Sequence, residues 1–466
     1  MNEIFEWDAV ALAEKVRARA VGPVEVVEAT LSRVEALNPN LNAICTLAAD
    51  QALLAARELE ARLARGDDGG PLAGVPVGIK DVIQTGGIRT TYGSPLFKDF
   101  VPHADAITVE RVKRAGAIVI GKTNTPEFAA GASTFNAVFG ATRNPWNPAY
   151  SPGGSTGGGA AALAARMIWL AEGTDLGGSL RVPAAFCGVV GLRPTPGRVP
   201  AIPVPVADDI WQVNGPMART ARDVAAMLDA LSGFSPDYPL SVPSTPVSQE
   251  VEGYDVRGRR FAYCRDVAQI GVDPEIDAIC RAAVRDLEGA GAIVEAIDLD
   301  LSPGREAFLA MRGMWVVGQQ YERLDDLSAF GVNVANNIRL GLATTVRDLA
   351  LADRVRSENW RRLSAVLTSY EALLTPCVPV EPFPADQNFP TEIDGKPMAT
   401  YIDWIAPTFL FSMMGVPAGS VPAGLSESGL PVGLQIVAPR FHEGRVLGIA
   451  RAVETLRPIG RPALPA

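Results

Sequence analysis

The chain has 466 residues, with 42 Lys or Arg against 52 Asp or Glu, a formal net charge of -10 at pH 7, and 48% hydrophobic and 20% charged residues. That balance excludes a disordered or low-complexity chain, and the negative charge repels a nucleic-acid duplex or an anionic lipid surface on average. Two histidines, His103 and His442, leave little material for a Ser-His-Asp triad or a histidine-rich metal site, and five scattered cysteines without a CxxC pair argue against a disulfide framework or structural zinc.

The opening MNEIFEWDAV carries acids where a secretory leader has a basic region and an apolar stretch, which predicts a cytoplasmic protein. Asp8 caps a first amphipathic helix that Gly22 ends. Pro23 opens a second over 24–37, with Val26, Val27, Leu31 and Val34 on one face and Asn38 and Pro39 closing it. An Ala-rich helix over 48–63 leads into a short apolar strand over 75–79 that ends at Lys80. A helix over 105–115 stops at Gly116 before a β-branched strand over 117–120, and the same rhythm returns as strand 261–264, helix 274–288 and strand 293–299. Residues 305–370 read as helical and mixed, with no strand pattern, and 372–375 as one more strand.

Helices alternating with short buried strands give an α/β fold with a mixed, largely parallel central sheet between helices. We expect one domain over 1–466, with 305–370 as a helical cap over a substrate pocket. The longest uncharged run, 404–426, is broken by Pro407, Gly415, Pro417, Gly419, Pro422 and Gly424, too often for a membrane-spanning helix.

Chemistry concentrates in a glycine-dense island. Pro152-Gly153-Gly154-Ser155-Thr156-Gly157-Gly158-Gly159 sets two hydroxyls among glycines and runs into an Ala-rich helix from Ala160. Gly173-Thr174-Asp175-Leu176-Gly177-Gly178-Ser179-Leu180-Arg181 follows, with a second serine on a glycine hinge. With histidine scarce, the base such serines need is a lysine made neutral by burial, and Lys80, closing an apolar strand, is the best placed.

These segments, with Gly78-Ile79-Lys80-Asp81 and the run Pro183-Ala184-Ala185-Phe186-Cys187-Gly188, resemble the amidase signature family. The resemblance extends over most of the chain, through Gly121-Lys122-Thr123-Asn124 to Gly429-Leu430-Pro431-Val432-Gly433-Leu434-Gln435 near its end. It implies a hydrolase of amide C-N bonds that needs no cofactor or metal and acts through an acyl-enzyme. Ser179 corresponds to the nucleophile, Ser155 to a bridging serine reached through a cis peptide from Gly154, and Lys80 to the terminal base. Backbone amides of Leu176, Gly177, Gly178 and Ser179 correspond to the oxyanion hole.

Within the resemblance Asp175 and Arg181 are structural groups that hold the loop, and Thr156 replaces a second serine while keeping a hydroxyl for Lys80. The substrate pocket is expected from Gly131, from Ile202, Val204, Ile210 and Trp211 in a loop over 200–211, and from Met314 and Trp315 in the cap. Few fixed charges among them predict amides with apolar or aromatic acyl or amine groups, the resemblance implies anilides and carbamates besides, and we expect a monomer or homodimer.

Two other readings compete. The same family includes one component of a glutamine-dependent amidotransferase, though 205–216 here is unlike the Ser-Ser-Leu-Asp-Gln stretch expected of it. Residues 116–123 also satisfy GxxxxGK[ST], but a phosphate loop follows its strand and opens a helix, whereas this stretch is itself strand-like.

Overall fold

The computed structural model describes residues 2–464. Eleven strands form one sheet: β1 (Ile44–Leu47), β2 (Pro76–Lys80), β3 (Ile118–Thr123), β4 (Leu170–Asp175), β5 (Val190–Arg193), β6 (Val213–Ala218), β7 (Arg260–Tyr263), β8 (Ile293–Ala296), β9 (Ala372–Pro376), β10 (Ala418–Leu425) and β11 (Pro431–Val437). Their spatial order is β1-β3-β2-β4-β6-β5-β10-β11-β9-β7-β8.

The sheet is mixed. β3, β2 and β4 run parallel on one flank and β9, β7 and β8 on the other, each neighbour reached through a helical crossover. Between the flanks β4, β6, β5, β10, β11 and β9 pair antiparallel.

The helices are α1 (Ala9–Arg17), α2 (Pro23–Leu41), α3 (Ala49–Ala64), α4 (Ile107–Arg114), α5 (Gly157–Ala164), α6 (Arg181–Cys187), α7 (Ala221–Leu231), α8 (Ser248–Glu252), α9 (Pro274–Gly289), α10 (Gly304–Gln319), α11 (Val332–Ala343), α12 (Val346–Ser369), α13 (Ala406–Ser412) and α14 (Glu443–Leu456). They cover both faces of the sheet, which the strands show by their period of two. Phe261 and Tyr263 of β7, and Ala372 and Leu374 of β9, enter one core with α7, α9 and α14. Ala262 and Leu373 enter the other, against α10, α12 and α13. Among the described residues no helix is long and apolar enough to cross a membrane.

Several elements depart from expectation. α1 ends at Arg17, before Gly22, with Arg19 already in the left-handed region at φ 58°. α2 runs through Pro39 to Leu41 and stops only at Asn42, at φ 50°. The Asn38 carboxamide catches the chain there, accepting from Ala43 and Ile44 N–H at 2.9 Å each and donating to Ile44 carbonyl at 2.9 Å. α5 starts at Gly157, so the three glycines lie inside the helix. The helix passes so close to its neighbours that a Cβ on Gly158 would sit 2.3 Å from the Asn124 nitrogen.

The uncharged run 404–426 holds α13 and β10, and Pro422 is tolerated in that strand at an irregularity in its register. Residues 116–123 place Gly121, Lys122 and Thr123 within β3, with no helix opening behind them, so no phosphate loop exists there. Asn38→Ala removes the clasp at the end of α2 and is expected to destabilise the fold by about 1–3 kcal/mol, read from the denaturant midpoint.

Candidate active site

Lys80 ends β2 in the middle of the parallel flank, where β3 and β4 bury it completely. Its side-chain nitrogen lies 2.6 Å from Ser155 Oγ and 2.9 Å from Thr174 Oγ1 on β4. Burial drives its pKa down to about 7, with the Asp175 charge opposing that shift. The neutral amine is therefore abundant near neutral pH.

Ser155 follows a cis Gly154–Ser155 peptide. A Cβ on Gly154 would lie 2.9 Å from the Ala132 carbonyl carbon and the Ser133 nitrogen, so the position takes only glycine. The same loop is anchored at Gly153, whose carbonyl accepts from Thr134 Oγ1 at 2.8 Å and whose N–H donates to Ser151 Oγ at 3.1 Å.

Ser179 stands in the turn between β4 and α6, half-buried, and lines the same cavity as Ser155. Its carbonyl accepts the Thr156 N–H at 3.1 Å, which staples the two serine loops together. Among the described residues its hydroxyl has no hydrogen-bond partner, so it stands open to the cavity.

Asp175 and Arg181 are hydrogen-bonded within this turn. The carboxylate accepts from Gly178 N–H at 2.9 Å, Leu180 N–H at 3.1 Å, and the Arg181 guanidinium at 2.9 and 3.0 Å, with Arg193 at 3.5 Å. Burial would raise its pKa, but the guanidiniums of Arg181 and Arg193 and the loop amide outweigh burial and hold it well below the usual carboxylate range. Arg181 reaches on to Thr408 carbonyl, Gln435 Oε1 and Ser412 Oγ, tying the turn to α13 and β11.

The structure separates the expected oxyanion donors. The peptide joining Gly177 to Gly178 is committed at both ends, its carbonyl taking the Thr408 hydroxyl at 2.6 Å and its N–H serving Asp175. Gly178 is therefore unavailable as an oxyanion donor. The N–H groups of Leu176, Gly177 and Ser179 have no acceptor among the described residues, and all three residues line the cavity.

Thr156 also differs from expectation. Its hydroxyl faces Thr174 carbonyl at 3.5 Å, and the hydroxyl that supports Lys80 comes from Thr174 instead. Nothing in the sequence singles out Thr174, because it sits in β4, a strand interrupted by Gly173, and its spacing from Lys80 carries no local signal.

The cavity holds about 530 Å³. Gly131, Ile202, Val204 and Trp315 line it as expected. Trp211 and Ile210 do not: Trp211 is buried with its ring 6.5 Å from Phe308, and Ile210 packs against the same core. Met314 is 48% exposed and points away, since α10 turns Phe308, Arg312 and Trp315 inward. Nor is the lining free of fixed charge, because Arg312 and Arg323 both belong to it.

An Amidase family model matches residues 25–447. The chain belongs to the amidase signature family. It is 35% identical over 466 residues to an acylamidase of Rhodococcus erythropolis, covering 97% of this chain and 96% of that one. It is also 35% identical over 485 residues to a glutamyl-tRNA(Gln) amidotransferase subunit of Carboxydothermus hydrogenoformans, covering 97% of each. Among solved structures a bacterial aryl acylamidase of the amidase signature family superposes with a TM-score of 0.91 at 29% identity, covering 97% of this chain and 96% of that chain. Sheet, helices and glycine-rich turns of this family member are thus those of an amide-hydrolysing scaffold.

Asp175→Asn leaves Arg181 and Arg193 buried without a counter-charge. We expect a loss of about 3–5 kcal/mol in stability, seen as a lower unfolding midpoint.

Proposed function

We propose that this protein hydrolyses carboxylic amides through an acyl-enzyme on Ser179. The carrying observation is the 2.6 Å contact between the Ser155 hydroxyl and a fully buried Lys80 amine, whose pKa burial lowers to about 7. Neutral Lys80 takes the Ser155 proton, and once the unpartnered Ser179 hydroxyl turns onto Ser155, Ser155 takes its proton and the Ser179 oxygen attacks the amide carbonyl. The proton returns along the same path to the departing amine, and water repeats the cycle on the acyl group.

Leu176, Gly177 and Ser179 N–H groups take the developing oxyanion. Such preorganised donors each lower the barrier by about 3 kcal/mol. Anilides and primary amides are the first substrate class, and carbamates and esters, electronically close, the second.

Ser179→Ala should lower kcat/KM by about 10⁴-fold or more and abolish labelling by a fluorophosphonate probe. Peptide mapping that finds the label on Ser155 would exchange the two serine roles. Because the Lys80 pKa is lowered, its working neutral form is lost as pH falls through about 7. The kcat/KM profile should therefore drop about tenfold per pH unit below that point and level off above it. A pH-independent rate between 5 and 8 would remove Lys80 as base. The amidotransferase reading is tested by glutamine: ammonia release only on addition of partner proteins would favour it over a free-standing amidase.

A further inference from the structure

The cavity contains a buried positive charge with no counter-charge. Arg312, on the inward face of α10, is only 8% exposed and lines the cavity. Its two terminal nitrogens donate to neutral groups, Asn337 Oδ1 at 2.6 Å and the Tyr401 hydroxyl at 2.6 Å. Asn337 in turn donates to the Tyr401 hydroxyl at 2.7 Å, so the three side chains brace one another. Among the described residues no carboxylate pairs with Arg312, and no Asp or Glu lines the cavity. The second arginine of the lining, Arg323, lies over the Phe97 ring at 4.9 Å and adds charge of the same sign.

A guanidinium stays charged at every accessible pH, and burying that charge is costly unless something compensates it. The other deeply buried arginines at this end of the sheet, Arg181 and Arg193, have Asp175. Among the described residues Arg312 hydrogen-bonds only to neutral groups, and it has unused N–H donors in the planar fork that suits a carboxylate.

Its position relates it to the reaction centre. Phe308, one helical turn before Arg312, lies against the nucleophile turn, 3.4 Å from where a Cβ of Gly177 would stand. Four residues of helix span roughly 6 Å. Arg312 and the turn residues Leu176, Gly177 and Ser179 thus line one cavity, with Phe308 between them along α10.

We propose that Arg312 is a specificity residue that receives a carboxylate of the substrate, so that the preferred substrates are amides carrying a free carboxylate a short chain away from the scissile bond. This rests on the hydrolase reading above and names the substrate class of that same site. Asn337 and Tyr401 act as positioning residues that hold the guanidinium fork toward the cavity.

The test compares the mono-anilide of a short dicarboxylic acid, such as glutaric acid, with its methyl ester, following aniline release from both. The wild-type enzyme should prefer the carboxylate by about 10–100-fold in kcat/KM, mainly through KM. Arg312→Met should abolish or invert that ratio, and Arg312→Lys should keep part of it. Should Arg312→Met fail to fold, Asn337→Asp is the second variant. It places a carboxylate of nearly the same shape against the guanidinium, and the preference should vanish with the arginine intact. Equal rates for the two substrates in the wild type, or an unchanged ratio in Asn337→Asp, would overturn the proposal. Fluorophosphonate labelling of Ser179 and hydrolysis of the methyl ester anilide are recorded alongside. Their presence with no carboxylate preference sinks only the Arg312 role, and their absence sinks the amidase reading itself.

Discussion

A single buried carboxylate organises the reactive end of this molecule. Asp175 ends β4 and gathers two amides of the turn that follows, the full fork of Arg181 and an edge of Arg193. Charges buried this deeply are tolerable only as a paired, hydrogen-bonded set. The set therefore has one geometry, and the turn bearing Ser179 inherits it. Arg181 passes the constraint onward to α13 and β11, and Arg193 passes it to the Trp211 carbonyl at 3.0 Å. The Ser179 loop is thus rigid although it is built of glycine.

The same interior holds a lysine whose burial lowers its pKa to about 7. Two hydroxyls, from Ser155 and Thr174, are the close partners of Lys80, and Asp175 favours its charged form without reaching it as an ion pair. A neighbouring lysine offers a comparison. Lys122, on the adjacent strand, is equally buried, and its pKa falls only to about 8 because Asp81 lies nearby. It donates to Ile83 carbonyl and to the hydroxyls of Thr85 and Thr90, at 2.9 and 3.0 Å for the hydroxyls. Lys122 is enclosed by its acceptors, whereas the Ser155 partner of Lys80 borders an open cavity.

Much of the site was legible because its geometry demands unusual residues. Gly154 must lack a side chain against Ala132 and Ser133, and Gly178, at φ 124°, would drive a Cβ to 2.3 Å from Thr408 Oγ1. Such requirements leave a dense glycine signature around the serines. The pocket wall leaves no such signature. Met314 and Trp315 are neighbours in sequence, and only the rotation of α10 decides that one faces solvent and the other the cavity. Trp211 has the composition of a lining residue, yet packs edge-on behind the wall against Phe308.

By itself the sequence determined the helix and strand rhythm of the flanks, the scarcity of histidine, the lysine closing an apolar strand and the serines set among glycines. Those follow from local rules: periodicity, turn chemistry and residue inventory. Only the tertiary structure decided which hydroxyl supports Lys80, which loop amides remain free once Asp175 has taken its share, and that Arg312 enters the cavity without a carboxylate. Each of these depends on a partner far away in the chain, and a hydrogen bond or a missing counter-charge across such a separation leaves no periodicity to read.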